Sequence, residues 1–142
     1  MTAPAFLLFG AHGDLALRML WPSLFRLHCD GSLPADMAVF GISRSGSTDE
    51  LHVHLHKSLA DELNEGNRAH FDSFLAKVEF VNLDAGQAAD YAGLADILRG
   101  RGRHVAISYL SMPPDLFAPI VENLQAAGLI DPRMRVILEK PI

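Results

Sequence analysis

Five short apolar runs, set between longer stretches of helical pattern, constrain this chain more than any other feature of its sequence. The runs are AFLLF (5–9), MAVFGI (37–42), VEFVNL (78–83), HVAISYL (104–110) and RVILE (135–139). Several are apolar with little alternation, as in strands covered on both faces of a parallel sheet. Between them, helical patterns run over Leu15–His28, Thr48–Asn64, Ala88–Arg99 and Asp115–Ala127, with a shorter one over Asn67–Ala76. Punctuation agrees with this division. Gly31 follows the first helix, STDE (47–50) supplies an N-cap and first-turn acids, MPPD (112–115) separates strand from helix, and Gly128 closes the last helix. Parallel neighbours need crossovers, and crossovers are right-handed. The alternation therefore predicts an α/β fold: a doubly wound, mainly parallel sheet between two helical layers.

At 142 residues the chain is long enough for one core and too short for two ordinary ones, so residues 1–142 form one domain. Apolar residues make up 49% and charged residues 20%, a globular composition. With 12 Lys and Arg, scattered, against 17 acids, no basic face is offered to nucleic acid. Cys29 is alone and forms no internal disulfide, which fits a reducing compartment. The first residues, MTAPAFLLFG, lack a basic leader, and no apolar run approaches the ~20 residues that span a membrane. The expectation is a cytoplasmic protein without membrane or nucleic-acid partners.

Doubly wound sheets bind ligands beyond the carboxyl ends of their strands. That rule selects the loops at 10–16, 43–46, 84–87, 111–114 and 140–142. The first reads Gly10-Ala11-His12-Gly13-Asp14-Leu15-Ala16. Gly10 can leave the strand sharply, Gly13 lets a diphosphate approach main chain, and Ala16 is small enough for close helix packing. The N-terminal amides of the helix would then face an anion. The same residues also suit an ordinary strand-to-helix turn. After the second strand, no acid stands between Ile42 and Thr48, where NAD-binding chains carry a carboxylate for the ribose. Arg44, flanked by Ser43 and Ser45, has instead the planar fork that suits a 2′-phosphate, which favours NADP. The alternative for Arg44 is a solvated surface residue.

Four motifs in order, FGAHGDLA (9–16), GISRS (41–45), YLSMPPDLF (109–117) and VILEKPI (136–142), resemble the coenzyme domain of the glucose-6-phosphate dehydrogenase family, its bacterial members in particular. WPSLFRL (21–27) and DGSLPAD (30–36) have counterparts there too. The resemblance covers essentially the whole chain. It implies a Rossmann-like domain of an enzyme that oxidises glucose 6-phosphate to 6-phosphogluconolactone with NADP⁺, the first step of the pentose phosphate route. It further implies that Gly10, Ala11, His12, Gly13, Asp14, Leu15 and Ala16 form the diphosphate loop and that Arg44 takes the 2′-phosphate. Asp84 and Ala85 would lie near adenine; Met112 and Pro113 would border nicotinamide, with Phe117 close by. Lys140, fixed by Pro141, would reach both coenzyme and sugar phosphate, although a lone lysine there also suits a solvated tail.

Two departures from the family pattern matter. Leu17-Arg18-Met19 replaces a basic cluster, and Met19 stands where a substrate-facing lysine is common. The family's catalytic histidine, in a motif close to R-I-D-H-Y-L-G-K-E downstream of E-K-P, does not occur. The expectation is an inactive fragment with no catalytic residue of its own, lacking an α+β domain through which the parent enzyme forms homo-oligomers. A non-catalytic NADP-binding sensor or scaffold module is the alternative.

Other constellations invite weaker readings. His52 and His56, one helical turn apart in ELHVHLHKS, could grip a metal but lack a completing ligand, and a polar helix face explains them as well. His12 could hydrogen-bond a phosphate. Asp14 suits a helix cap or a steadying role in the loop, and Trp21, Leu24 and Phe25 suit packing of the first helix on the sheet.

Overall fold

The computed structural model describes residues 2–138; Lys140 and Pro141, with their implied roles, lie outside the described residues. Strands β1 (Ala3–Phe9), β2 (Ala38–Ser43), β3 (Val78–Asn82), β4 (Arg103–Leu110) and β5 (Arg135–Leu138) form one sheet in the order β3-β2-β1-β4-β5. Every pairing is parallel. β1 begins before its apolar run because Ala3 and Pro4 pair with Arg103 and His104 of β4, so the partner sets the limit.

The uninterrupted apolar runs are explained by burial on two faces. Ala5, Leu7 and Phe9 enter one core with Phe40 and Ile42, beneath helices α4 (Ala88–Gly100) and α5 (Phe117–Ala126). Phe6 and Leu8 enter the other with Val39, beneath α1 (Trp21–Cys29), α2 (Thr48–Leu59) and α3 (Arg68–Ala76). Trp21, Leu24 and Phe25 pack there as their spacing predicts, and the Trp21 indole N–H donates to the Ala11 carbonyl at 2.9 Å. Burial of an indole is favourable only when its N–H finds such a partner.

Four details depart from the sequence reading. The first helix widens into a π turn over Ala16–Leu20 before α1. Pro22 accounts for this: it has no amide to donate, and its ring would strike the Arg18 carbonyl in a regular α-helix. α2 stops at Leu59, followed by a 3₁₀ turn over Ala60–Glu62, instead of running to Asn64. The side chains of Asn64 and Asn67 each accept the other's amide, at 3.0 and 2.8 Å, and such side-chain bonds compete with the helical ladder. A 3₁₀ turn over Pro114–Leu116 delays the start of α5 to Phe117. Finally, β5 is exposed along its length, and β4 is buried only in part. The helices of the α1 layer sit over β1, β2 and β3, leaving Ile107, Tyr109 and Ile137 around an apolar cleft of about 270 Å³. Among the described residues no helix is long and apolar enough to cross a membrane.

Candidate functional site

The carboxyl ends of β1 to β4 open onto one crevice of about 460 Å³. Phe9 and Gly10 form its floor, Ser43 and Arg44 one wall, Leu83 to Gly86 the next, and Met112, Pro113 and Leu116 the side toward α5. It spans β1 and β4, between which the strand order reverses, the position where doubly wound sheets hold their ligands. A larger groove of about 580 Å³ lies away from the strand ends, between the π turn and α2, lined by Asp14, Arg18, His54 and Lys57 among others. The crevice carries the ligand-binding geometry of the fold; the groove does not.

Gly10 has φ of 85°, and a Cβ there would run into the Ser111 carbonyl oxygen and meet the Met112 sulfur at 3.1 Å. Only glycine turns the chain this way against β4. Gly13 lacks positive φ, but a Cβ on it would stand 3.3 Å from the Gly10 carbonyl oxygen. The loop amides divide into two groups. Those of Gly10 and Ala11 donate to the Ile42 carbonyl at 2.9 and 3.1 Å, and that of Gly13 donates to Gly10 at 3.0 Å. These bonds fasten the loop to β2 and leave nothing for an anion. The amides of Asp14, Leu15 and Ala16, at the start of the helix, donate to no acceptor among the described residues. The His12 amide likewise has no acceptor among the described residues, so an anion site of the helix N-terminus comprises these three and His12.

Arg44 extends from the end of β2 into the crevice wall, exposed and without a hydrogen bond or ion pair to any described residue. Asp84 shapes the third loop: its carboxylate accepts the Gly86 amide at 3.0 Å and its carbonyl accepts the Gln87 amide at 2.9 Å. The Ala85 carbonyl accepts from the buried Tyr91 hydroxyl at 2.9 Å. Burial, chiefly, pushes that phenol up to about 12, so it stays a donor at every physiological pH. Met112 and Pro113 stand at the crevice as expected.

Other sequence expectations are corrected. Leu116 and Phe117 both pack on the α5-side core, and of the two Leu116 lines the crevice. The 3₁₀ turn over Pro114–Leu116 changes the phase of the residues that follow. Asp14 makes no side-chain cap hydrogen bond to any described residue; it is exposed and pairs with Arg18 at 3.2 Å. His12 turns away from the crevice, its ring beside His54 and Phe80. His52, His54 and His56 go to three destinations: the Val78 carbonyl at 2.9 Å, His12, and the Phe71 ring. Leu17 packs against the core, whereas Met19 is 54% exposed. Gly86 and Leu116 escaped the sequence reading; Gly86 lies in the selected loop 84–87, whereas Leu116 lies two residues past the selected loop 111–114.

A parallel sheet of this order, with a glycine turn after β1, open amides at the next helix and a free guanidinium after β2, defines the NAD(P)-binding domain of a dehydrogenase. The family model described as "Glucose-6-phosphate dehydrogenase, NAD binding domain" matches residues 7–142, and the chain belongs to that family. It is 34% identical to a glucose-6-phosphate 1-dehydrogenase of Mycolicibacterium smegmatis, over 96% of this chain and 29% of the relative. With the enzyme of Zymomonas mobilis it shares 37% identity, over 99% of this chain and 30% of the relative. A solved glucose-6-phosphate dehydrogenase in complex with glucose 6-phosphate superposes with a TM-score of 0.86 at 25% identity, covering 99% of this chain and 31% of that one. The chain thus spans about 30% of the length of the curated relatives it matches.

Proposed function

We propose that this chain holds NADP⁺ for a glucose-6-phosphate dehydrogenase, the oxidation of a sugar-phosphate hydroxyl to a lactone. Arg44 carries the choice of coenzyme. It stands unpaired in the crevice, and no acid lies between it and Thr48 to grip an unphosphorylated ribose. Its fork, with the Ser43 hydroxyl beside it, matches phosphate oxygens. The residues present fit the group: the amides of His12, Asp14, Leu15 and Ala16 are open to a diphosphate.

In this reading Gly10, Ala11 and Gly13 shape the loop, and the His12 amide stays available to the diphosphate beside those of Asp14, Leu15 and Ala16. Asp84 and Ala85 border the adenine, Met112 and Pro113 border the nicotinamide, and Lys140 reaches coenzyme and sugar phosphate together. Bound NADP⁺ supplies the hydride acceptor. Removal of the hydroxyl proton needs a base, which falls to the remaining length that the relatives possess. The chain is the coenzyme-binding domain, residues 1–142, and turns over no substrate alone.

The test is titration of the chain with NADP⁺ and NAD⁺, before and after Arg44→Ala. Loss of a charge-assisted phosphate contact is expected to weaken NADP⁺ by about 1.5–3 kcal/mol and NAD⁺ little. Equal losses for the two coenzymes overturn the role of Arg44.

A further inference from the structure

We propose that His54, a positioning residue on α2, holds the phosphate loop in its binding shape by gripping the ring of His12, and that acid releases this grip and weakens coenzyme binding. The inference rests on the coenzyme reading above and adds to it a residue far from the crevice.

The grip is a built slot. His12 Nδ1 lies 3.0 Å from His54 Nδ1, with the two rings edge to face at 88°. Phe80 of β3 covers the ring of His12 at a centroid distance of 5.2 Å. Gly46 closes the far end, where a Cβ would stand 2.9 Å from His12 Nε2. That Nε2 is buried without a hydrogen-bond partner. The main chain is pinned on both sides: Ala11 through Ile42 and Trp21, Gly13 through Gly10. His12 is the residue between, and its ring fixes the step that leads to the open amides of Asp14 to Ala16. Preorganised donors bind an anion more tightly because less ordering remains to be done on binding.

Two imidazole Nδ1 atoms bond only when one of them carries a hydrogen. If both are protonated, two donors and two like charges face each other, and the bond is lost. A full charge on His12 would also leave an Nε2 proton in a slot without an acceptor. Burial, with His54 adding and Glu50 opposing, holds the His12 imidazole below its ordinary value. The other charged groups near the pair are Lys57, Asp61, Glu62 and the Asp14–Arg18 pair, which line the groove beside His54. β3 meets the ring of His12 with Phe80, and the loop after β2 meets it with Gly46. At neutral pH the loop is therefore locked; acid charges the second ring and unlocks it.

The test measures NADP⁺ affinity from about pH 8 to about pH 5.5, the range of imidazole titration, for the chain, His54→Asn, His54→Leu and His12→Ser. His54→Leu removes the bond and is expected to weaken binding roughly 5-fold at about pH 8, the worth of one net hydrogen bond. His54→Asn keeps an amide oxygen near the Nδ1 position that accepts from His12 whether or not that ring is charged. It is expected to retain the affinity near pH 8 and to lose roughly 5-fold less than the parent chain on acidification. Comparing one coenzyme across variants cancels titration of its own phosphate. If His54→Leu proves unfolded by circular dichroism, His12→Ser carries the test from the loop side, with the acid-dependent loss again absent. Parallel pH profiles for the chain, His54→Asn and His12→Ser overturn the proposal. A folded chain that binds no NADP⁺ overturns the coenzyme reading and this inference with it, whereas binding indifferent to His54 overturns this inference alone.

Discussion

At Gly10 the backbone turns with φ of 85° while β4 presses the Ser111 carbonyl against the place a side chain would occupy. Gly10→Ala combines backbone strain with a clash against main chain, which cannot move without moving β4. Its expected cost is about 3 kcal/mol, read from the urea midpoint. Gly86→Ala is the control from the same crevice. Its Cβ would meet only Asp84 Oδ1, at 3.6 Å, and the change is expected to stay within about 1 kcal/mol. The sequence made Gly10 legible, because a glycine directly after an apolar strand has few other uses. It did not make His12 legible. The ring's partner lies 42 residues away on α2, and the alternating histidines that flank that partner suggest a metal pair before they suggest a latch.

Among the elements, α2 shows how local signals succeed and where they stop. Ser47 accepts the Glu50 amide at 3.1 Å, and Asp49 and Glu50 complement the positive end of the helix, as STDE predicts. Ser47→Ala is expected to cost about 1 kcal/mol in thermal or urea unfolding, with coenzyme binding unchanged since the cap touches neither the crevice nor His12. The end of α2 was harder to see. Hydrophobic period carries no warning of a paired Asn64–Asn67 turn, whose bonds depend on two side chains meeting. The π turn over Ala16–Leu20 was in principle readable from Pro22, since a proline within a helix must displace the turn before it. Leu116, next to Phe117, was missed for a related reason: a short 3₁₀ segment over Pro114–Leu116 rotates these residues relative to any α-helical projection.

Across the whole molecule, stability is expected to fall on mild acidification. Burial holds the imidazoles of His12 and His28 below their ordinary value, with Lys77 and His70 adding to the effect at His28. As pH falls through about 6.5 the unfolded chain takes up these protons before the native one does. The associated stability is complete above that pH and is lost as pH drops toward the lowered native values. Urea midpoints should therefore rise from about pH 5 to about pH 7.5, and the rise should flatten in a His12→Asn, His28→Gln double variant. An unchanged slope in that variant assigns the acid sensitivity to other groups. The same scale contains the largest departure from the strand reading. RVILE looks like a buried strand, yet Val136, Ile137 and Leu138 are 38%, 39% and 50% exposed at the sheet edge. Apolar composition records what a strand is able to bury, not which layer arrives to cover it.

The sequence by itself determined the alternation of strands and helices, the parallel sheet, the loops at its carboxyl edge and the family, because each follows from local period or from ordered motifs along the chain. Tertiary structure alone decided which loop amides remain open, that Leu116 and not Phe117 meets the crevice, and that His12 is held by His54. Those are properties of distance between residues remote in sequence, fixed only when β1, β2 and α2 pack together and each donor finds, or fails to find, an acceptor.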